Sequence, residues 1–423
     1  MSKENRILAA MFISMALGYM PWYNFSAVLK FISQEYHLTA ADTGMILSAF
    51  QAGYVVIVMS TGWLADRISL KKILFWATLF TGISSLLFIW VSQGKLSILI
   101  MRLIVGLSAG AIYVPGMMLL SRWFPASRRG TAIGAYTSAL VAAYAGGYLI
   151  GSHLSVAYGW RSGILWTSLP AIVAAFVILL FVEDKPVEEA AVCKVSPQTG
   201  VAPSSAQCCP AGGYAGPSLI TAGYVGHMWE LYAFWGWIGP FLIATQLANG
   251  VPTAQAVSTG GTLTAAIILL GVPASWLWGW MADKKGRTFA MAVGGGLSVV
   301  GEFFLGSLFG YSFGLVVIVA GWIGFWVISD SALYKAGLLE MMDPKFTGLA
   351  LGIQSAVGFG ITIISPAVFG AVLQLYNGAG NPTSATQWWP SFGVLGVGGL
   401  LAPICILLLR RLPQAVLMAG GKK

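Results

Sequence analysis

The sequence predicts an all-α membrane protein of twelve transmembrane helices, arranged as two similar halves of six. Three observations carry that prediction. Of 423 residues, 57% are hydrophobic and only 9% are charged, whereas a soluble chain carries about 25% charged residues. The apolar residues gather into twelve runs, each long enough to cross a hydrocarbon core of about 30 Å. A polar stretch rich in Pro, Gly and Ala divides these runs six and six. A water-soluble enzyme is excluded, because so apolar a chain has too few polar groups to solvate its surface. The net charge of +9 does not point to nucleic acid, since the cations are spread through short loops and not clustered on one face.

The runs lie at 8–30, 44–65, 73–92, 97–121, 130–158, 163–182, 218–246, 258–281, 289–308, 312–335, 348–372 and 390–410, and are called spans 1 to 12. Backbone in lipid must satisfy its own hydrogen bonds, so each is a helix or a barrel strand. Runs this long exclude strands, which need only about 10 alternating residues. Residues 1–6 form a polar stub with no cleavable signal in view. With the N-terminus placed in the cytoplasm, 19 of the 23 Lys and Arg fall on the inner side. Only Lys30, Lys95, Arg102 and Arg161 do not. The positive-inside rule then sets both termini in the cytoplasm, and the expected location is a bacterial inner (plasma) membrane.

Residues 183–217 cannot bury a core and read as a flexible cytoplasmic linker. The domains are therefore 1–182, 183–217 and 218–423. Cys193, Cys208 and Cys209 lie in the linker without a C-x-x-C or a nearby His, so no metal is expected there. Cys405 in span 12 is a small packing residue. No phosphate-binding loop is present, so ATP does not drive this chain directly, and no cofactor is expected.

The halves echo one another. Gly62-Trp63-Leu64-Ala65-Asp66-Arg67 closes span 2 and Gly279-Trp280-Met281-Ala282-Asp283-Lys284 closes span 8, each followed by further cations. These residues resemble the loop signature of the major facilitator superfamily, G-x-L-A-D-R-x-G-R-[KR]. Ser69 and Leu70 depart from it, whereas Gly286 and Arg287 keep it. Arg102-Leu103-Ile104-Val105-Gly106 through Gly110 in span 4 resembles the family's R-x-x-x-G-x-x-x-G motif. Glycines of span 5 (Gly134, Gly146, Gly147, Gly151) and of span 11 (Gly352, Gly358, Gly360, with Pro366) resemble its gating helices. The stretch from Asn24 to Tyr54 looks like the anion–cation symporter branch. The resemblance implies two six-helix bundles that bind a solute near the midplane and rock to expose it on either side. It also implies a latch at Asp66, Arg67, Asp283, Lys284 and Arg287.

An ionisable group inside a span is costly and so marks a functional candidate. Glu230 lies about 18 Å into span 7 at 1.5 Å per residue, near the midplane. His227 lies three residues earlier on the same helix face. Both suit proton transfer, with Asp330 of span 10 as a coupling site or as a gate pair with Lys335. A packing His and a snorkelling Asp are the plainer readings. For Glu302 of span 9 the resemblance implies a place outside the cavity and a structural or peripheral role. Arg102 can grip a planar anion by two parallel hydrogen bonds, or can snorkel outward. Lys30, closing span 1, is either an anion attractor at the outer mouth or a snorkelling side chain. Tyr19, Trp22, Tyr23 and Asn24 crowd span 1 beside Pro21. Trp229, Tyr232, Trp235 and Trp237 crowd span 7. A polar-aromatic wall there suits a small organic solute. Gln51, Tyr113, Tyr136, Tyr144 and Gln354 are further polar candidates, each of a type common in packing.

The expected function is proton-coupled transport of a small organic anion, a carboxylate, by a monomer in the bilayer. An antiporter exporting a cationic or amphiphilic compound and an inorganic-anion transporter are the alternatives. A non-transporting sensor lacks a signalling domain in the linker, and no catalytic signature supports an enzyme.

Overall fold

The computed structural model describes residues 2–65, 67–184, 213–343 and 346–422. All regular structure among them is helical. Eleven helical stretches are long and apolar enough to cross a membrane. Span 1 is the twelfth, and it is broken into Lys3–Gly18, a tight turn at Met20–Trp22, and Asn24–Glu35. The single helix expected at 8–30 is thus corrected. Pro21 lies in the turn, where its ring removes a donor and blocks continuation of the helix.

Proline also sets most of the other breaks. Span 4 is Lys95–Ala109 and Tyr113–Trp123, with Pro115 in the second piece. Span 8 is Thr253–Leu269 and Gly271–Lys285, with Pro273 just inside. Span 11 is Thr347–Ile361 and Ser365–Asn377, with Pro366, and span 12 is Trp389–Gly399 and Leu401–Arg411, with Pro403. Each proline falls in the first turn of a new helix, where a missing N–H costs nothing. Span 10, Phe313–Ser329 and Ser331–Met341, breaks at Asp330 without a proline. The unbroken spans are Ala40–Ala65, Leu70–Val91, Ala126–Tyr158, Trp160–Phe181, Ala215–Ala248 and Arg287–Leu305.

Spans 1–6 pack as one bundle and spans 7–12 as another. Within the first, spans 2 and 4 touch backbone to backbone. A Cβ added to Gly53 would stand 2.7 Å from Leu107 N, and one on Gly106 3.0 Å from Phe50 Cα. Small residues let helices approach this closely where lipid gives no hydrophobic drive.

Both chain ends lie on one membrane face, here the terminal face. Lys3 pairs with Glu183 at the end of span 6 (2.6 Å), and Lys422 Nζ donates to Asp283 O at the end of span 8 (2.8 Å). Toward the opposite, far face, span 11 packs along span 2 and span 8 along span 5. A Cβ on Gly44 would lie 2.6 Å from Pro366 O of the other bundle. Toward the terminal face these pairs diverge. A Cβ on Gly134 of span 5 or Gly352 of span 11 would meet nothing within 4 Å. The bundles are therefore closed at the far face and splayed at the terminal face.

Gly106→Ala should lower the thermal unfolding temperature, by the equivalent of about 1–3 kcal/mol for overpacking. Gly134→Ala should raise it, by up to about 1 kcal/mol, because a helix-interior glycine facing open space gains from a methyl. Unfolding followed by intrinsic Trp fluorescence in detergent checks both, and shifts of the same sign would refute the packing described.

Candidate functional site

The break in span 1 frees the carbonyls of Pro21 and Trp22, which accept no backbone N–H there. Arg102 of span 4 supplies the donors. Its Nη1 donates to Pro21 O (3.0 Å) and its Nη2 to Trp22 O (2.7 Å). The guanidinium lies 4.4 Å from the Phe50 ring centroid and 5.5 Å from that of Phe25. Arg102 is 2% exposed, so it does not snorkel. No carboxylate among the described residues lies within ion-pair distance of it, and its Nε has no partner.

Aromatic rings surround this cation. Trp22 packs on Phe50 and Tyr54 (4.7 Å each) and on Tyr144 (5.2 Å), and reaches Tyr232 of the other bundle (5.8 Å). Tyr23 meets Tyr144 and Tyr148, and Tyr144 meets Trp235. A small cavity of about 10 Å³, room for about one water, remains between the bundles, lined by Trp22, Tyr23, Gln51, Arg102, Tyr232 and Gly236 among others. Trp22 Nε1, Tyr23 OH, Tyr144 OH and Trp235 Nε1 are buried without partners. Buried polar atoms ordinarily find one, so this is a wall of unused donors and acceptors around an unpaired cation.

The other predicted residues distribute as follows. Gln51 Oε1 accepts from Thr362 Oγ1 of the other bundle (3.4 Å). Tyr19 OH donates to Ala109 O and accepts from Tyr113 N, closing the break in span 4. Tyr113 hydrogen-bonds Thr137 and stacks on Tyr136, whose OH donates to Ile112 O. Asn24 is turned away from the centre, its amide donating to Ser85 and Thr167 inside the first bundle. Trp229 is likewise turned away, its ring lying against Gly398 of span 12. Gln354 Nε2 donates to Tyr334 O (3.3 Å). Tyr148, Phe50, Tyr54 and Phe359 join the central wall without having been singled out in the sequence. Tyr144 and Tyr148 are four residues apart, a spacing that puts them on one helix face.

A second polar cluster lies within the other bundle, on the side of span 7 turned from the cavity. His227, Glu230, Glu302 and Asp330 are each at most 1% exposed. His227 Nδ1 is 3.0 Å from Asp330 Oδ1, and Tyr334 OH donates to Asp330 Oδ2 (3.0 Å). Glu230 Oε2, both Glu302 oxygens and Ser298 Oγ have no partner. No Lys or Arg among the described residues pairs with these carboxylates. One expectation is corrected here: Asp330, at the break between the two helices of span 10, faces His227 and Tyr334, not Lys335. Glu302 lies outside the cavity, buried in the interior of the second bundle.

Of the latch, Asp66 lies outside the described residues, as do linker residues Cys193, Cys208 and Cys209; Arg67 stands in the turn that follows span 2. In the second copy Arg287 bridges Asp283 (2.6 Å) and Glu340 (3.0 Å), and Lys284 Nζ sits 3.8 Å over the Trp280 ring. These contacts stay within the second bundle.

Two six-helix bundles that meet around a polar cavity, sealed on one side and parted on the other, define a membrane transporter. The chain belongs to the Major Facilitator Superfamily, whose sequence profile matches residues 11–253. It is 24% identical over 388 residues to the hexuronate transporter of Bacillus subtilis (strain 168), covering 87% of each chain. It is 22% identical to a Cupriavidus necator protein named "Probable sulfoacetate transporter SauU", covering 94% of this chain and 92% of that one. Its fold matches a bacterial homologue of the human lysosomal transporter Spinster in an inward-facing, occupied conformation, with a TM-score of 0.74, 15% identity and 96% of each chain covered.

Closure of the far face rests in part on Tyr148. Its OH donates to Trp235 O (2.6 Å) and lies 3.5 Å from Gly236 O, the carbonyl that Pro240 leaves without its helical donor. Tyr148→Phe should open the far face by about 1 kcal/mol, or about five-fold in population. Thiol labelling of a cysteine placed at Leu47 reads this out, and unchanged labelling would remove Tyr148 from the gate.

Proposed function

We propose that the protein is a proton-coupled secondary transporter of a small organic anion, a carboxylate, working by alternating access in a bacterial inner membrane. The observation that carries the reading is Arg102, a buried cation with no carboxylate beside it, at the wall of the cavity between the bundles. A buried charge without a counter-charge is costly, and a partner that supplies one is strongly favoured. Two of the five guanidinium N–H groups are used on carbonyls, which leaves three for an anion. The unpartnered Trp and Tyr groups offer hydroxyl and carbonyl contacts for the rest of a small polar solute. The relatives point the same way, since one is named for hexuronate and another for sulfoacetate.

The export of a cation is less well supported. That reading needs Glu230 and Asp330 against the aromatic wall, and both face the interior of the second bundle instead. There they form, with Glu302, a group of three carboxylates with no Lys or Arg beside them, of which Asp330 contacts His227 and Tyr334. Three such charges in one apolar interior repel one another and lack hydration. The cluster is the proposed coupling site. The 19 Lys and Arg that the sequence assigns to the inner side support a cytoplasmic location for both termini, and a single chain contains both bundles and the cavity between them.

A thermal-shift screen tests the ligand class. Glucuronate, glucarate and sulfoacetate are expected to stabilise the purified protein, with tetraphenylphosphonium giving no shift; a ligand at 100 times its Kd adds about 2.7 kcal/mol. Arg102→Lys should weaken the carboxylate shift at least about ten-fold in apparent Kd, because an ammonium cannot reproduce the planar fork. Stabilisation by the cation alone, or an unchanged Kd in the variant, would sink the anion reading.

Coupling is tested separately. Glu230→Gln should abolish accumulation driven by a proton gradient in proteoliposomes while counterflow exchange of the same anion persists. Loss of both together would assign Glu230 to folding or binding.

A further inference from the structure

At the far face the charges do not balance. The described acids there are Glu35 and Asp42, and both are committed. Glu35 accepts from Arg161 Nη2 (2.7 Å) and Trp160 Nε1 (2.5 Å), and the Arg161 hydrogen bond holds its carboxyl below the ordinary value. Asp42 pairs with Lys95 and also accepts from Thr39 N. One cation is left over, Lys30 on the second piece of span 1. It is 8% exposed and has no carboxylate within ion-pair distance among the described residues.

Lys30 does not reach outward to headgroups. It lines a pocket of about 350 Å³ whose other walls belong to the opposite bundle: Ala244 and Leu247 of span 7, Phe309, and Thr383 and Thr386 of the loop before span 12. That volume lies in the range of sites for small organic ligands. Lysine usually keeps its ammonium in water by its flexible stem. Here the side chain lies at the seam between the bundles, on the wall of a pocket edged by threonine and serine.

We propose that this pocket is a second anion site, a vestibule that takes a small carboxylate at the far face on its way to or from the central cavity. The inference rests on the anion reading of Arg102. Lys30 lies eight residues beyond Trp22 on the same span, about 12 Å at 1.5 Å per residue. Arg102 is bonded to Trp22 O, so the two cations, each without a counter-charge, stand at successive levels of span 1 and mark a path for an anion. Because the pocket is built from both bundles, parting them at the far face opens it, and closing them withdraws it. The site therefore acts on entry and exit at one face only.

That asymmetry supplies the test. Flux of radiolabelled glucuronate, glucarate and sulfoacetate is measured in oriented proteoliposomes, from each face in turn, for wild type, Lys30→Gln and Lys30→Arg. Lys30→Gln is expected to raise KM for transport starting at the far face about three- to ten-fold, with the effect fading at high ionic strength. KM from the terminal face should stay at the wild-type value, which also shows that the variant is folded. Lys30→Arg should restore most of the far-face KM. An equal change at both faces, no change at either, or a neutral variant that behaves as Lys30→Arg does would overturn the vestibule. Failure of the underlying anion reading looks different: wild type would move none of the three anions, or Arg102→Gln would move them normally.

Discussion

The fold turns on the two hydrogen bonds from Arg102 to the broken segment of span 1. Pro21 stops the helix in mid-membrane, where no water is at hand for the carbonyls it releases, and an unsatisfied carbonyl there costs several kcal/mol. A guanidinium satisfies both carbonyls at once and, being planar, fixes their relative position. That fixes where Trp22 and Tyr23 stand, and their rings in turn set the places of Tyr144, Tyr148 and Tyr232. The same bonds neutralise no charge. A lysine or an amide could hold one of the carbonyls, but only a group that stays ionised leaves a positive centre in the middle of the protein. One side chain thus closes the break in span 1 and leaves a positive centre at the cavity wall.

The acids lie elsewhere, and span 7 stands between the two poles. His227 and Glu230 point into the second bundle, whereas Tyr232 and Trp235 point to the cavity. At 100° per residue, Glu230 and Trp235 are about 140° apart around the helix. The acidic cluster on one face and the cavity on the other thus share a rigid element but not a contact. Coupling across such an arrangement needs two positions of that element which the sites favour differently. Span 7 is equipped for this, with Pro240 weakening its far half and Tyr148 bonding to it from the other bundle.

Much of this architecture is legible in the sequence because it is set by composition. Hydropathy and cation placement mark spans and loops without reference to packing, and the two signature loops show the repeat. Arg102, Glu230, His227 and Asp330 are legible for a related reason, as ionisable residues in apolar runs are rare. What each faces is not legible. Asn24 and Tyr23 are neighbours, yet the turn at Met20–Trp22 sends one into the bundle and the other to the centre. Glu302 sits on a helix expected outside the cavity, and only the packing of span 9 on spans 10 and 12 brings it to Glu230. Tyr148 is one tyrosine among 15 until Pro240 of another span leaves a carbonyl for it. Lys30 is ambiguous in sequence because the same stem that snorkels can also line a pocket between two bundles.

The seal at the far face is made of weak parts, and that decides what can open it. Across the bundles Tyr148 bonds to Trp235 O, Gln374 accepts from Ala41 N, Asn381 donates to Ser33, and Thr362 donates to Gln51. All four are hydrogen bonds between uncharged groups, worth about 1 kcal/mol each in net terms. The ion pairs at that face, Glu35 with Arg161 and Asp42 with Lys95, lie within the first bundle and do not resist its separation from the second. A closure of a few kcal/mol is of the same order as one charge crossing a potential of 100 mV, about 2.3 kcal/mol. Had the ion pairs spanned the seam, breaking them would have left unpaired charges and a far higher barrier. With the ion pairs kept within the first bundle and only neutral contacts between the bundles, parting the far face breaks hydrogen bonds and strands no charge.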